Sequence, residues 1–436
     1  MERQILKKMR HWKQGRHRKP LVVMGARQVG KTTSLKCLGE REYENSVYLN
    51  FEDNPHLKTL FDTSLKPDHL LKAMQIETGI EIKPEKTLII LDEIQECPNA
   101  LISLKYFNEM ANEYHIATAG SLLGVKLLNT QGFPVGKTDF LDMFPLSFFE
   151  FLDAIGEKEL KKFLEEIKKI EPIPANLHEK CLDHFRHYLY IGGMPEPVKK
   201  YIETHSLDSV REAHQAILRA YSLDFSKHAP ANQIMKINQV WNVIPSQLAK
   251  ENKKFVYSVL RKGARAKEFE TAIQWLKEAG LVHKTFNITT PKIPLEAYVN
   301  FEFFKIYLVD VGLLGAKANL SAKTILQNNE LFQEFRGSYI ENVAAQALAK
   351  NHHKLYYWTS EGKAELDFVF EHDGIIHPLE IKSGMTNKKK SLRTYAQKYQ
   401  PKLSIKSSPK NLCKKDNSLN CPLYLLEKLP DLLDNL

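Results

Sequence analysis

A short apolar run, Leu21-Val22-Val23-Met24, breaks at Gly25-Ala26-Arg27-Gln28-Val29-Gly30-Lys31-Thr32-Thr33 and gives way to a helix-like segment over 33–38. The run has the β-branched, non-alternating composition of a strand buried in a parallel sheet. The stretch from Gly25 to Thr32 fits G-x-x-x-x-G-K-[ST]. Gly25 and Gly30 lack a Cβ, so the backbone can fold into a hollow with several N–H groups aimed inward. A hollow of that kind at a helix N-terminus holds phosphate. In this pattern Lys31 reaches the β and γ phosphates and the Thr32 hydroxyl ligates Mg²⁺. The chain is therefore expected to be an α/β protein that binds ATP with Mg²⁺. The plain alternative, a chance glycine-rich turn, is disfavoured by the strand before it and the helix after it.

The next segments extend that sheet. Residues 46–51 read as a strand, 55–77 as helical, and 87–93 (Thr-Leu-Ile-Ile-Leu-Asp-Glu) as an apolar strand delivering two carboxylates at its C-terminal end, where open α/β sheets place ligand groups. Asp92 is expected to hold Mg²⁺ through its water shell and Glu93 to polarise the attacking water; a solvated acidic turn is the alternative. Residues 115–120 form a further strand. Ser121 or Thr118 at its end could sense the γ phosphate, although both types are also common as caps. Residues 140–146 supply a fifth strand.

At 436 residues the chain exceeds one ordinary core and predicts about two to four domains. Its 43% hydrophobic and 26% charged content is that of a soluble globular protein. The net charge of +10 fits a nucleic-acid partner and plain solvation equally well. Five cysteines without a C-x-x-C pair point to reduced thiols in the cytoplasm and away from disulfides or zinc. No apolar run reaches membrane-spanning length. Residues 1–18 are basic, carry Glu2 and lack a signal-peptide core, so they read as a short helix leading into the first strand.

From 150 to 225 the pattern is helical, interrupted at Gly192-Gly193-Met194-Pro195, which no helix tolerates internally. Between 230 and 315, helices followed by strands near 285–290 and 304–309 suggest a winged-helix unit. Lys253, Lys254, Arg261, Lys262, Arg265 and Lys267 concentrate positive charge there, for phosphates or for solvent.

The last hundred residues carry a second constellation. A helix over 335–350 contains Glu341; 354–358 and 365–370 read as strands; a turn at Asp373-Gly374 predicts a hairpin with 376–382. Asp367, Glu380 and Lys382 then make D-x₁₂-E-x-K across one hairpin. Asp367 and Glu380, with Glu341 nearby, could share Mg²⁺ or Mn²⁺, and Lys382 could orient a water or stabilise a pentacovalent phosphate. An ion-pair cluster is the structural alternative, and E-x-K alone carries little weight because it recurs at Glu81-Ile82-Lys83 and Glu166-Ile167-Lys168.

Taken together, the loop at 25–33, Leu91-Asp92-Glu93, Phe144-Pro145-Leu146-Ser147-Phe148, Gly192-Gly193-Met194-Pro195, Asp310-Val311-Gly312-Leu313-Leu314 and Glu365-Leu366-Asp367 with Glu380-Ile381-Lys382 make the chain resemble a prokaryotic family of AAA-type P-loop ATPases. That family is related to archaeal and STAND ATPases and carries a C-terminal domain of unknown function similar to PD-(D/E)XK nucleases. The resemblance implies a P-loop core over 1–150, a helical lid over 151–229, a winged-helix unit over 230–318 and a restriction-endonuclease-like α/β domain over 319–436. It also implies that Gly193 and Pro195 approach the nucleotide base. The reading is an Mg²⁺-dependent ATPase switch coupled to a nuclease-like domain acting on nucleic acid. The alternative is a nucleotide-gated module that binds DNA or a protein partner without cutting.

Overall fold

The computed structural model describes residues 2–120, 136–250, 254–327, 333–351, 354–360, 364–384 and 390–436, with the backbone alone at 333, 334 and 390. The chain divides into two compact units, Met1–Phe144 with Glu278–Gly280, and Pro145–Lys277 with Leu281–Leu436.

The first unit is built on strands β1 (Leu21–Met24), β2 (Asn45–Asn50), β3 (Thr87–Asp92), β4 (His115–Ala119) and β5 (Asp139–Asp142). They lie in the order β2-β3-β4-β1-β5, and every pairing is parallel. Burial on both faces explains why β3 reads as an unbroken apolar run: all six of its residues are buried. Val22, Leu49, Leu91 and Ile116 from four strands join Leu70 and Met74 of the helix Pro67–Thr78 and Leu104 and Phe107 of the helix Pro98–Met110 in one core. β1 has β4 on one side and β5 on the other, so the chain leaves β1 for one edge and returns later to its opposite flank. Open sheets bind ligands outside the strand C-termini at such a reversal, and both the loop at 25–32 and Asp92 stand there.

The second unit begins with helices. Ser147 caps Phe148–Ala154 in a reciprocal capping box with Glu150, and Lys158–Glu166 buries Leu160 and Leu164 while its Lys/Glu face meets solvent. Later strands β6 (Val282–Ile288), β7 (Val299–Leu308), β8 (Tyr356–Ser360), β9 (Ala364–His372), β10 (Ile375–Ile381), β11 (Ser404–Ser408), β12 (Cys413–Lys415) and β13 (Ser418–Pro422) form one mixed sheet, ordered β12-β13-β11-β10-β9-β8-β6-β7. The β9–β10 hairpin turns at Asp373 and Gly374, both at positive φ (47° and 72°), as a type I′ turn requires. β6 and β7 form the hairpin read as a wing, and β6 also pairs in parallel with β8, register Phe286 to Tyr356. The wing-like hairpin and the last hundred residues thus share a sheet.

Three of the sequence motifs meet in this unit. Asp310, fully buried at the end of β7, accepts the Gly193 N–H at 2.6 Å through Oδ2 and the Leu313 N–H at 3.0 Å through Oδ1, the latter capping the helix Val311–Lys317. Gly193 in turn accepts from Leu146 N at 2.6 Å. A Cβ on Gly193 would lie 2.0 Å from the Leu146 carbonyl oxygen, and one on Gly312 2.5 Å from the Ile191 oxygen. These glycines are required by close backbone approach. Burial pushes the Asp310 carboxyl up to about 6, against the pull of its backbone donors.

Candidate nucleotide site

Gly25 (φ 141°) and Gly30 (φ 97°) take backbone conformations that L side chains rarely adopt, and a Cβ on Gly25 would sit 2.2 Å from the Met143 carbonyl oxygen. Gly30 is the N-cap of the helix Lys31–Glu42. The loop is also pinned from behind by Arg3, whose guanidinium donates to Val29 O at 2.8 Å and Phe144 O at 2.6 Å.

Lys31 is buried, and its Nζ donates to Gly25 O at 2.9 Å and Ala26 O at 2.8 Å. Burial lowers its pKa to about 8, although Glu93 and Asp92 pull the other way. Thr32 Oγ1 donates to Asp92 Oδ2 at 2.7 Å, and the Tyr48 hydroxyl donates to the same oxygen at 2.9 Å. Burial raises the Asp92 pKa against these two bonds. Glu93 follows β3 in the left-handed region (φ 48°), and Gln95 Nε2 donates to its Oε2. Arg27 pairs with Glu52 at 3.5 Å, and Gln28 sits at positive φ (66°). Thr33 is exposed on the first turn of the helix.

The structure therefore brings Lys31, Thr32, Asp92 and Glu93 together at the strand C-termini. Ser121 lies outside the described residues. Thr118, the other sensor candidate, is fully buried beside Leu91 and Val22, and its Oγ1 has no hydrogen-bond partner among the described residues. Tyr48, Gln95 and Arg3 belong to none of the sequence motifs. The alternation of β2 carries the signal for Tyr48, since Val47 and Leu49 enter the core and Tyr48 must face the other way. The ATP phosphates and Mg²⁺ fit this donor set: a hollow that a side chain on Gly25 would fill, a buried ammonium, and a hydroxyl–carboxylate pair.

The C-terminal constellation is different. Continuing the β9–β10 register past Phe368 and Leu379 sets Asp367 opposite Glu380, on one face of the sheet. Lys382 Nζ meets Glu380 Oε1 at 2.7 Å, Asp367 Oδ2 accepts the Ile381 N–H at 2.7 Å, and Glu341 Oε2 accepts the Tyr307 hydroxyl at 3.2 Å. Lys305 of β7, fully buried, pairs with Glu365 at 2.5 Å. Burial works against its charge, but Glu365, Glu341 and Asp367 outweigh it and hold the ammonium above the ordinary lysine value. Glu380 Oε2 is buried with no hydrogen-bond partner among the described residues, the one feature here that favours a cation. Yet Glu341, Asp367 and Glu380 are not a trio with all ligand atoms within 4.8 Å; among the described residues that spacing belongs to His372, Asp373 and Asp434, near the β9–β10 turn. One oxygen of each acid is engaged by the protein itself, Asp367 Oδ2 by the Ile381 N–H, Glu341 Oε2 by the Tyr307 hydroxyl and Glu380 Oε1 by Lys382, so the three acids fit a shared Mg²⁺ or Mn²⁺ poorly. Pro195 opens the helix Pro195–Thr204 at its first position, and Gly193 is engaged by Asp310 and Leu146.

Residues 17–152 match a family model described as an AAA domain. By that match this stretch is similar to an AAA-type domain. Residues 182–324 and 336–425 match two domains of unknown function, DUF8612 and DUF4143. An uncharacterized protein of Methanocaldococcus jannaschii is 26% identical over 186 residues, which are 40% of this chain and 38% of that protein. Among solved structures, a Walker-type ATPase of Pyrococcus abyssi aligns with a TM-score of 0.44 at 12% identity, over 73% of this chain and 95% of its own. A STAND protein with a tetratricopeptide repeat sensor from Pyrococcus horikoshii aligns at 0.25 and 12%, over 78% and 47%. Among the described residues, no helix is long and apolar enough to cross a membrane.

Proposed function

We propose that the chain is an Mg²⁺-dependent ATPase that works as a switch, its nucleotide state governing the second unit. The observation that carries this is the knot of Lys31, Thr32, Asp92 and Glu93 at the reversal point of the parallel sheet. ATP with Mg²⁺ supplies the phosphoanhydride bond that is broken. Lys31 would exchange its two loop carbonyls for phosphate oxygens, keeping its charge because those oxygens replace the lost solvation. Thr32 and Asp92 would hold the metal, with Tyr48 fixing the Asp92 carboxylate. Glu93, steadied by Gln95, would orient and polarise the attacking water.

In the second unit the helices Ile234–Leu248 and Ala266–Glu278 followed by β6 and β7 have the element order of a winged helix, and Arg261, Lys262, Arg265 and Lys267 are exposed beside them. That basic surface supports nucleic acid as the partner. For the nuclease-like constellation, the pairing of its acids with Tyr307, Lys382 and the Ile381 N–H favours the reading without cleavage: a domain that grips nucleic acid. The test is incubation of supercoiled plasmid and of single-stranded DNA and RNA with Mg²⁺ or Mn²⁺, with and without ATP, alongside binding measured over a range of salt. Salt-sensitive binding without cleavage is expected. Metal-dependent cleavage that disappears in Asp367→Ala would overturn the non-cleaving reading, and absence of salt-sensitive binding would remove nucleic acid as partner.

A further inference from the structure

A groove of about 790 Å³ in the second unit is lined from three sides by hydrogen-bond donors, with Glu212 as the one carboxylate among its described lining residues. Arg211, Gln215 and Arg219 recur every fourth residue of the helix Leu207–His228 and so occupy one stripe of it. Lys317, at the end of the helix Val311–Lys317, faces them over the ring of Trp241, 4.6 Å from its centroid.

Among the described residues these cations lack counter-charges. Lys317 Nζ has Asn242 Oδ1 at 3.1 Å but no carboxylate, and burial alone lowers its pKa to about 8. Arg211 stacks on Tyr190 and donates through Nη2 to Leu320 O at 2.7 Å, while its Nη1 is shielded from solvent with no hydrogen-bond partner among the described residues. Arg219 is exposed and makes no ion pair among the described residues. A partly desolvated Lys317 without an anion is costly to hold, and an anion entering beside it would relieve that cost while accepting charge-assisted hydrogen bonds, with the Arg211 charge close by. The volume is that of a small-molecule site.

We infer that this groove is an anion site for a phosphate group, separate from the nucleotide loop, built by Arg211, Arg219 and Lys317 around the Trp241 face. The phosphate can belong to a free organic phosphate or to a nucleic-acid backbone; the second case would deepen the proposed nucleic-acid partnership and rests on it.

The test uses the full chain carrying Lys31→Ala, so that the nucleotide loop does not contribute, and follows calorimetric binding of inorganic pyrophosphate and of a short single-stranded oligonucleotide. Adding Arg219→Gln and Lys317→Gln should weaken one or both probes by about ten-fold or more, since two charge-assisted contacts are lost. Weakening of pyrophosphate alone assigns the site to a small ligand; weakening of the oligonucleotide assigns it to a backbone phosphate. Equal affinities with and without the two substitutions, for both probes, would overturn the inference. Arg219→Gln alone, at an exposed position, provides a second variant free of any folding defect. ATP hydrolysis is not read in this experiment, so failure of the ATPase reading and failure of this one are distinguishable.

Discussion

Replacing Lys31 with Met should have opposite effects on stability at neutral and at high pH. The side chain is buried, and its pKa falls from 10.5 to about 8, which at about 1.4 kcal/mol per pKa unit corresponds to about 3–4 kcal/mol against the charged form. Because the folded value lies below the unfolded one, that cost is fully present below pH 8, and it is relieved as pH rises from 8 to 10.5, where the unfolded chain binds more protons. Lys31→Met removes the cost but leaves the Gly25 and Ala26 carbonyls without their donor, a loss of about 1 kcal/mol each. The variant should therefore be about 1–2 kcal/mol more stable than wild type at pH 7 and about 2 kcal/mol less stable near pH 10.5, other titrations cancelling in the comparison. Scanning calorimetry of both proteins from pH 7 to 10.5 checks this. The relevant transition is the one that MgATP shifts upward in the wild type, and it should not shift in the variant. A stability difference that stays constant across that pH range would refute the account of a strained, desolvated ammonium waiting for phosphate.

Other consequences concern the second unit and the metal pair. Asp310→Ala leaves the Gly193 and Leu313 N–H groups buried without an acceptor, so urea denaturation should show a loss of about 2–6 kcal/mol, and Asp310→Asn, which turns an amide donor toward one of them, about half of that; an unchanged midpoint would show that Asp310 does not join the motifs. Gly193→Ala should destabilise the same transition, because its Cβ would overlap the Leu146 oxygen. Thr32→Val removes one of the two donors to Asp92 Oδ2; Mg²⁺-dependent nucleotide affinity should fall about ten-fold or more, while metal-free nucleotide binding changes little.

The first site was legible because its chemistry is compressed into a few neighbouring residues. Nine consecutive positions from Gly25 to Thr33 carry the proposed phosphate hollow, and Asp92-Glu93 end a strand whose apolar run is unmistakable. The supports of that site were not legible in the same way. Tyr48 reaches Asp92 from a neighbouring strand, and Arg3 reaches Val29 from 26 residues earlier in the chain, contacts that depend on tertiary arrangement and not on local spacing. The β9–β10 hairpin is foreseeable from Asp373-Gly374 and alternation, whereas the parallel pairing of β6 with β8 has no local signature. That pairing brings the strand bearing Lys305 and Tyr307 into the same sheet as Glu365 and Asp367, so the electrostatics of the C-terminal acids could not be read from D-x₁₂-E-x-K alone. The roles of Gly193 and Asp310 likewise emerge only when residues more than a hundred positions apart meet.

Mg²⁺-dependent phosphate release from ATP by the full chain, measured beside nucleotide binding for wild type, Lys31→Ala and Glu93→Gln, tests the central claim most directly. The account predicts slow hydrolysis by wild type, loss of binding and hydrolysis in Lys31→Ala, and in Glu93→Gln retained binding with hydrolysis lowered about 100-fold or more. Wild-type binding without any hydrolysis, or Glu93→Gln turning ATP over as fast as wild type, would contradict it.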